Sequence, residues 1–372
     1  MKTKIISVAV ILAIIIVIAI ISAHNSGQTV KIGALYPRTG GLASYGEPAY
    51  NMAKIAVEDV NASGGIHGQK LELIAEDHVC DPKIALSAYA KLRDTQGVAI
   101  FTAVACSGTI SAIAPNLEKD STVLLGTVTS ANKLSGISPS FFRNWASDAQ
   151  ESRLIADRIV ANKYKTVAAL YEETDYAKGL VVSLEGFLAS SSVTVSKESF
   201  VSGAGDVRTQ LKKLQSMNAD AVFISVQTVT SGEVVLKQME QLGFHPKVLF
   251  VNDNIIKATS LVTAHSELLE GAIGGDYVFE VSDEARGVLA HYKNVYGVDC
   301  PQVNICLAEY DAIRMLAEAI KEKGVVAQDV RGYLADSSYQ GLTGTISFDG
   351  KNDREGAGYS LFGIDKGAVN KL

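Results

Sequence analysis

From residue 30 onward, short apolar runs alternate with segments whose apolar residues recur at helical spacing. The first series predicts strands over 30–36, 70–76, 98–104 and 122–125. Helices are expected over 49–61, 82–95 and about 111–119. A second series begins near residue 146, with helices over 148–161, 177–189, 207–217 and 233–242. Its strands fall at 166–171, 193–200, 221–226 and 247–251. A strand at 272–278 follows, then helices at 284–296, 304–323 and 328–335. The tail reads as strands over 344–348 and 358–363 around the turn-rich stretch Asp349 to Asp353. Alternation of this kind demands a largely parallel sheet covered on both faces, and two series of similar size predict an α/β protein of two doubly wound lobes. No repeat of fixed period and no low-complexity linker separates them, so several chain crossings fit better than one tether.

The amino terminus follows another pattern. Lys2 and Lys4 precede an uncharged run over 5–23, which at a rise of about 1.5 Å per residue makes about 28 Å of helix, close to the thickness of a bilayer core. Such a run is either a cleaved signal peptide, with a small-residue site at Ile21-Ser22-Ala23, or a retained anchor. In both cases the lysines stay inside, and the chain from His24 onward is expected outside the cytoplasm.

Composition narrows the chemistry. A chain of 372 residues with 47% hydrophobic positions fills substantial cores, and a net charge of −6 argues against a nucleic-acid partner. The glycines supply neither a GxGxxG fingerprint nor a GxxxxGK[ST] loop, and HExxH and GxSxG are absent too, so no enzyme, cofactor or metal site is expected. Four cysteines, at 80, 106, 300 and 306, match no common zinc spacing but suffice for one or two bridges in an oxidising compartment.

Three stretches carry a family resemblance: Lys31-Ile-Gly-Ala-Leu-Tyr-Pro-Arg-Thr-Gly-Gly with Tyr45-Gly46, Asp59-Val-Asn-Ala-Ser-Gly-Gly-Ile-His-Gly-Gln-Lys-Leu, and Asp77-His-Val-Cys-Asp-Pro-Lys followed by Ala85. They resemble the type I periplasmic binding proteins, specifically the branched-chain amino acid receptors of ABC importers. The second is similar to that family's DINAxGGIxGxxL pattern and the third to its DDxCDPxxA pattern. The resemblance implies lobe 1 over 30–145 plus 275–345, lobe 2 over 146–274 plus 346–372, three hinge crossings and a ligand held between the lobes. It also implies a membrane permease as partner, in a protein that itself works as a monomer. A ligand-binding sensory ectodomain signalling through a membrane partner uses the same cleft and is the alternative.

Site residues follow from the same resemblance. In the family the stretch similar to Cys106-Ser107-Gly108-Thr109 holds the amino acid carboxylate, which gives that role to Ser107 and Thr109 with backbone from Gly108; a helix start there would add its own partial charge. Thr129 and Ser130 fall on the loop the family uses for both ends of the α-amino acid group. Tyr176 matches the tyrosine that closes on the ligand, Asp253 the carboxylate offered to the ammonium, and Tyr45 an aromatic wall. Two departures stand out. Gln227 makes the side-chain pocket more polar, and Arg38 replaces an apolar residue, which would suit an extra anionic group. An amide, an acidic amino acid or a small carboxylate therefore remains open as ligand.

The cysteine pair matching Cys80 and Cys106 is disulfide-linked in the branched-chain receptors, and strands 70–76 and 98–104 bring the two together if they are neighbours. Cys300 and Cys306 have no counterpart there; a bridge between them would pin the start of the helix at 304–323.

Overall fold

The computed structural model describes residues 29–356 and 358–372; the apolar run over 5–23 lies outside them. Among the described residues no helix is long and apolar enough to cross a membrane.

The first sheet is built from β1 (Thr29–Tyr36), β2 (Lys70–Asp77), β3 (Ile100–Val104), β4 (Val123–Thr127) and β5 (Phe141–Arg143), all parallel, in the order β2-β1-β3-β4-β5. Between the strands run α1 (Ala43–Ala62), α2 (Pro82–Gln96) and α3 (Ser107–Leu117). Strand pleating sends neighbouring residues to opposite faces. Ile32, Ala34 and Tyr36 pack with α1 on one side, while Leu35 packs with Tyr89 of α2 and Ile110 and Ile113 of α3 on the other.

The second sheet repeats the plan. Its strands β6 (Thr166–Glu172), β7 (Thr194–Phe200), β8 (Ala221–Ser225), β9 (Leu249–Val251) and β10 (Ile273–Tyr277) are parallel in the order β7-β6-β8-β9-β10. Two antiparallel strands, β13 (Tyr359–Asp365) and β14 (Ala368–Lys371), complete the edge beside β10. Val167 and Ala169 meet α4 (Ala149–Ala161) and α5 (Asp175–Leu188); Ala168 and Leu170 meet α6 (Arg208–Met217) and α7 (Val229–Gln241). After β9 come three short helices, α8 (Asp253–Ile256), α9 (Thr259–Ala264) and α10 (Ser266–Leu269). The chain then returns to the first sheet, where α12 (Val303–Lys323) and α13 (Ala327–Asp336) cover the α1 face, preceded by α11 (Asp283–Tyr296). A hairpin, β11 (Tyr339–Gly341) with β12 (Gly344–Ile346), leads to the last crossing.

The molecule is thus two doubly wound three-layer lobes joined three times, through 144–148, 278–282 and 347–358. The crossings are fastened to one another. The Arg143 guanidinium, fully buried, donates from Nε to Asp353 Oδ1 at 2.6 Å and from Nη2 to Asp353 Oδ2 at 2.8 Å. Arg354 donates to the Asn144 carbonyl at 3.1 Å, and Trp145 of the first crossing packs on Tyr277, which meets Tyr359 edge-on, centroids 4.1 and 6.0 Å apart; the two tyrosines flank the second and third crossings.

Several expected elements shift. The first helix begins at Ala43, six residues before the predicted start: it runs through Pro48, which removes one backbone hydrogen bond in its second turn, and Gly46 lets the first turn lie against the Pro37 carbonyl. Likewise α3 begins at Ser107 rather than near 111. The strands β2 and β3 are not neighbours, since β1 lies between them. Cys80 and Cys106 are nevertheless bonded, with Cα atoms 5.4 Å apart, because Val79 and Cys80, both at positive φ, turn the loop after β2 back across the end of β1. Cys300 and Cys306 are bonded also, Cα to Cα 6.8 Å, at the start of α12. Short β5, β14 and α8 to α10 were not visible as periodic segments.

Candidate functional site

In each sheet the strand order reverses beside its second-listed strand, β1 in one and β6 in the other, and the loops leaving the carboxyl ends there form the crevice where α/β proteins take ligands. The two crevices face each other. Leu42, Tyr45, Ala105, Cys106, Ser107, Val128 and Ser130 from the first lobe and Tyr176, Gln227, Asp253 and Asn254 from the second enclose about 20 Å³, room for a water molecule. A wider cavity of about 600 Å³ adjoins it through Tyr45 and Asn254, and is bordered further by Ser44, Trp145, Lys257, Asp276 and Asn304.

The first-lobe wall is strained backbone. Ala105, Cys106 and Val128 hold φ of 59°, 55° and 59°, a region non-glycine residues rarely occupy. The Cys80 bridge and an Ala105 N–H donated to the Thr127 carbonyl at 2.9 Å hold this turn. It delivers Ser107 as the first residue of α3. The Ser107 Oγ accepts the Ala131 N–H at 3.1 Å, which leaves its own proton free for the cleft.

The opposite wall is a chain of hydrogen bonds. The Asn252 side-chain amide, itself fixed by the Val226 carbonyl at 3.0 Å, donates to the Tyr176 hydroxyl at 2.7 Å. That hydroxyl donates in turn to Asp253 Oδ1. The Lys257 ammonium lies 2.7 Å from Asp253 Oδ2, one turn along α8. Burial opposes the charge on Lys257, but Asp253, Tyr45 and Asp276 outweigh it and hold the ammonium well above the usual lysine range. Among the described residues a hydrogen bond and an ion pair cross the cleft, and the Lys257 ammonium lies 5.7 Å from the Tyr45 ring centroid. Tyr45 donates to Asn254 Oδ1 at 2.7 Å, and Lys133 pairs with Asp175 at 2.6 Å.

Beneath Asp253 lies the hinge. Glu151 Oε1 accepts the Asp253 N–H at 3.1 Å and the Gly275 N–H at 3.3 Å, and Asp148 Oδ1 accepts from the Tyr359 hydroxyl at 2.9 Å. Burial, reinforced by the Asp253 charge, pushes Asp148 up to about 7 and Glu151 well above the usual carboxylate range. Among the described residues no cluster of three or more His, Cys, Asp or Glu has the arrangement to hold a metal ion.

Of the residues named from sequence, Tyr45, Ser107, Ser130, Tyr176, Gln227 and Asp253 come together around one space. Four others do not border it. Thr109 Oγ1 donates back to the Cys106 carbonyl at 2.8 Å, within the first turn of its own helix. Thr129 is fully buried and its Oγ1 lies against Gly126, inside the first lobe. Gly108 faces Asp175 and Pro82, near the Lys133 pair. Arg38 pairs with Glu47, 2.8 Å from Nε, and lies 4.0 Å over the Tyr50 ring, outside this space. Lys257, Asn254 and Asp276 were missed. The one available signal was the i, i+4 spacing of Asp253 and Lys257, which means contact only if that stretch is helical.

Two doubly wound lobes with a polar site between them define a two-lobed solute receptor. The chain belongs to the periplasmic binding protein family, whose model matches residues 29–368; its members are solute-binding proteins, not enzymes. It is 23% identical over 354 residues, 94% of this chain and 93% of the other, to the leucine-, isoleucine-, valine-, threonine- and alanine-binding protein of Pseudomonas aeruginosa. Among solved structures, a leucine-binding protein from Thermotoga maritima superposes with a TM-score of 0.79 at 22% identity, covering 92% of this chain and 97% of that one. A periplasmic binding protein type 1 from Bordetella pertussis gives 0.78 at 22%, covering 93% and 100%.

Proposed function

We propose that this protein is the extracytoplasmic solute-binding component of an ABC importer, which holds an amino acid or closely related small polar carboxylate between two lobes and presents the closed form to membrane permease subunits. The observation that carries the reading is the enclosed space to which both lobes contribute polar side chains from the carboxyl ends of their strands: Tyr45, Ser107 and Ser130 on one side, Tyr176, Gln227 and Asp253 on the other. Lobe 1 is taken as 30–145 plus 275–345 and lobe 2 as 146–274 plus 346–372, except that 275–277 complete β10 and go with the second sheet. A space of about 20 Å³ admits no such ligand, so entry requires the lobes to part about the three crossings and closure to bury the ligand. Residues 1–23 direct export, and a monomer suffices for the hinge.

The P. aeruginosa relative, named for leucine, isoleucine, valine, threonine and alanine, sets the start of the panel to screen. Thermal unfolding of the purified protein is measured against amino acids, amides and small carboxylates. A ligand at a hundred times its dissociation constant should stabilise the folded form by about 2.7 kcal/mol. No shift with any member of the panel would overturn the proposal.

A further inference from the structure

Recognition of an α-amino group needs an anion that is short of a partner until the ligand arrives. Asp253, the carboxylate of the second lobe that borders the enclosed space, is not short of one. Its Oδ2 is 2.7 Å from the Lys257 ammonium, and its Oδ1 takes the Tyr176 hydroxyl, which Asn252 locks in that direction. Both partners belong to the same lobe as Asp253; the Asp253 side chain is 8% exposed and that of Lys257 is half-buried, at 22%. The pair is also preset. Asp253 opens α8 and Lys257 follows its last residue, so a single helical turn fixes their separation whether the lobes are apart or together.

The other carboxylates of this wall are engaged elsewhere: Asp175 pairs with Lys133, and Glu172 accepts the Gln227 N–H at 2.7 Å. Glu151 is directed at the backbone N–H groups of Asp253 and Gly275, and Asp148 at Tyr359, both beneath the cleft floor. Asp276 borders only the wider cavity, with the Lys257 charge beside it. A ligand ammonium arriving at Asp253 would give up its water to share a carboxylate already neutralised, with a second ammonium close by. Desolvation would cost it more than the shared contact returns.

Resting on the solute-binding reading above, we propose that Lys257 is a specificity-determining residue: its ammonium occupies the place at Asp253 that an α-amino group would take, so the cleft selects small carboxylates that lack an α-amino group over the corresponding amino acids.

The test is calorimetric titration of the full chain with matched pairs: leucine and 4-methylpentanoate, phenylalanine and 3-phenylpropanoate, alanine and propanoate. The expected result is that, in at least one pair, the acid without the amine binds tenfold or more tightly than its amino acid. In Lys257→Met the preference should swing toward the amino acid by at least tenfold, because Asp253 then lacks a cation, whereas Lys257→Arg should keep the wild-type order. An amino acid that binds wild type as well as or better than its partner in every pair that binds overturns the role of Lys257 and leaves the solute-binding reading standing. A folded Lys257→Met with unchanged preference overturns it equally. If that variant does not fold, the wild-type pairs decide alone. Absence of binding by every member of the panel overturns the solute-binding reading, and this inference with it.

Discussion

Arg143 and Asp353, 210 residues apart in sequence, meet through two parallel hydrogen bonds and so tie the first hinge crossing to the third. The arginine is fully buried; its Nη1 reaches the carbonyls of Thr129 and Ala131 at 3.2 and 3.0 Å, and Nη2 also donates to Ser135 Oγ at 2.7 Å. One side chain therefore holds both the hinge and the loop that carries Ser130.

Breaking this pair should be costly, because removing one partner strands a buried charge. Asp353→Ala is expected to lower stability by about 3–5 kcal/mol, far beyond the ~1 kcal/mol typical of exposed pairs such as Lys133 with Asp175. Urea denaturation checks it; a loss below about 1 kcal/mol would mean the charge is solvated or re-paired.

Gly46 should not tolerate a methyl group. Glycine to alanine inside a helix ordinarily gains about 1 kcal/mol, but a Cβ here would stand 2.2 Å from the Pro37 carbonyl oxygen, a backbone atom. Gly46→Ala is expected to lose about 1–3 kcal/mol and to displace the neighbouring Tyr45. A variant as stable as wild type in the same denaturation assay would contradict the packing of α1 on the loop after β1.

The bridge from Cys80 to Cys106 closes a span of 26 residues. Chain entropy gives such a bridge roughly 3 kcal/mol. Intact-mass measurement with and without reduction should find no free thiol in the native protein, and Cys80→Ser with Cys106→Ser should lower the melting temperature. It should also weaken ligand binding, since Cys106 borders the enclosed space. Two free thiols in oxidised native protein would refute the bridge.

Stability should fall with rising pH through a group remote from the cleft. Burial pushes Glu309 up to about 7, and its Oε1 accepts from Tyr36 at 2.7 Å and Thr102 at 2.9 Å. Above its unfolded value near 4.5 the unfolded chain has released this proton while the folded chain keeps it, so stability declines as pH rises from about 4.5 through 7, by at most about 3 kcal/mol. Asp148 acts in the same direction. His78, pulled down to about 4 by burial, acts oppositely, its contribution being lost as pH falls from about 6.5 through 4. The difference between wild type and Glu309→Gln isolates one group. The variant should flatten the decline, and an unchanged profile would remove Glu309 from the account.

How far the chain could be read without its structure differs between its parts. The alternation over 30–36 and 166–171 and the helical spacing over 82–95 are properties of neighbouring residues, and they fixed the two α/β series and the strand ends after which Tyr45, Ser107 and Tyr176 stand in the first turns of helices. The short elements were illegible because a turn or two of helix, as in α8, carries no period to detect. That loss mattered, since α8 is what brings Lys257 to Asp253. Sheet order was equally hidden: the strands before Cys80 and Cys106 look like neighbours, yet β1 lies between them and only a left-handed turn closes the gap. Local pattern says that a residue is buried or exposed, but not what it is buried against. The pairing of Glu309 with Tyr36, of Arg143 with Asp353 and of Arg38 with Glu47 was decided when the sheets assembled, because a buried charge or hydroxyl takes whichever partner the packed elements bring within reach.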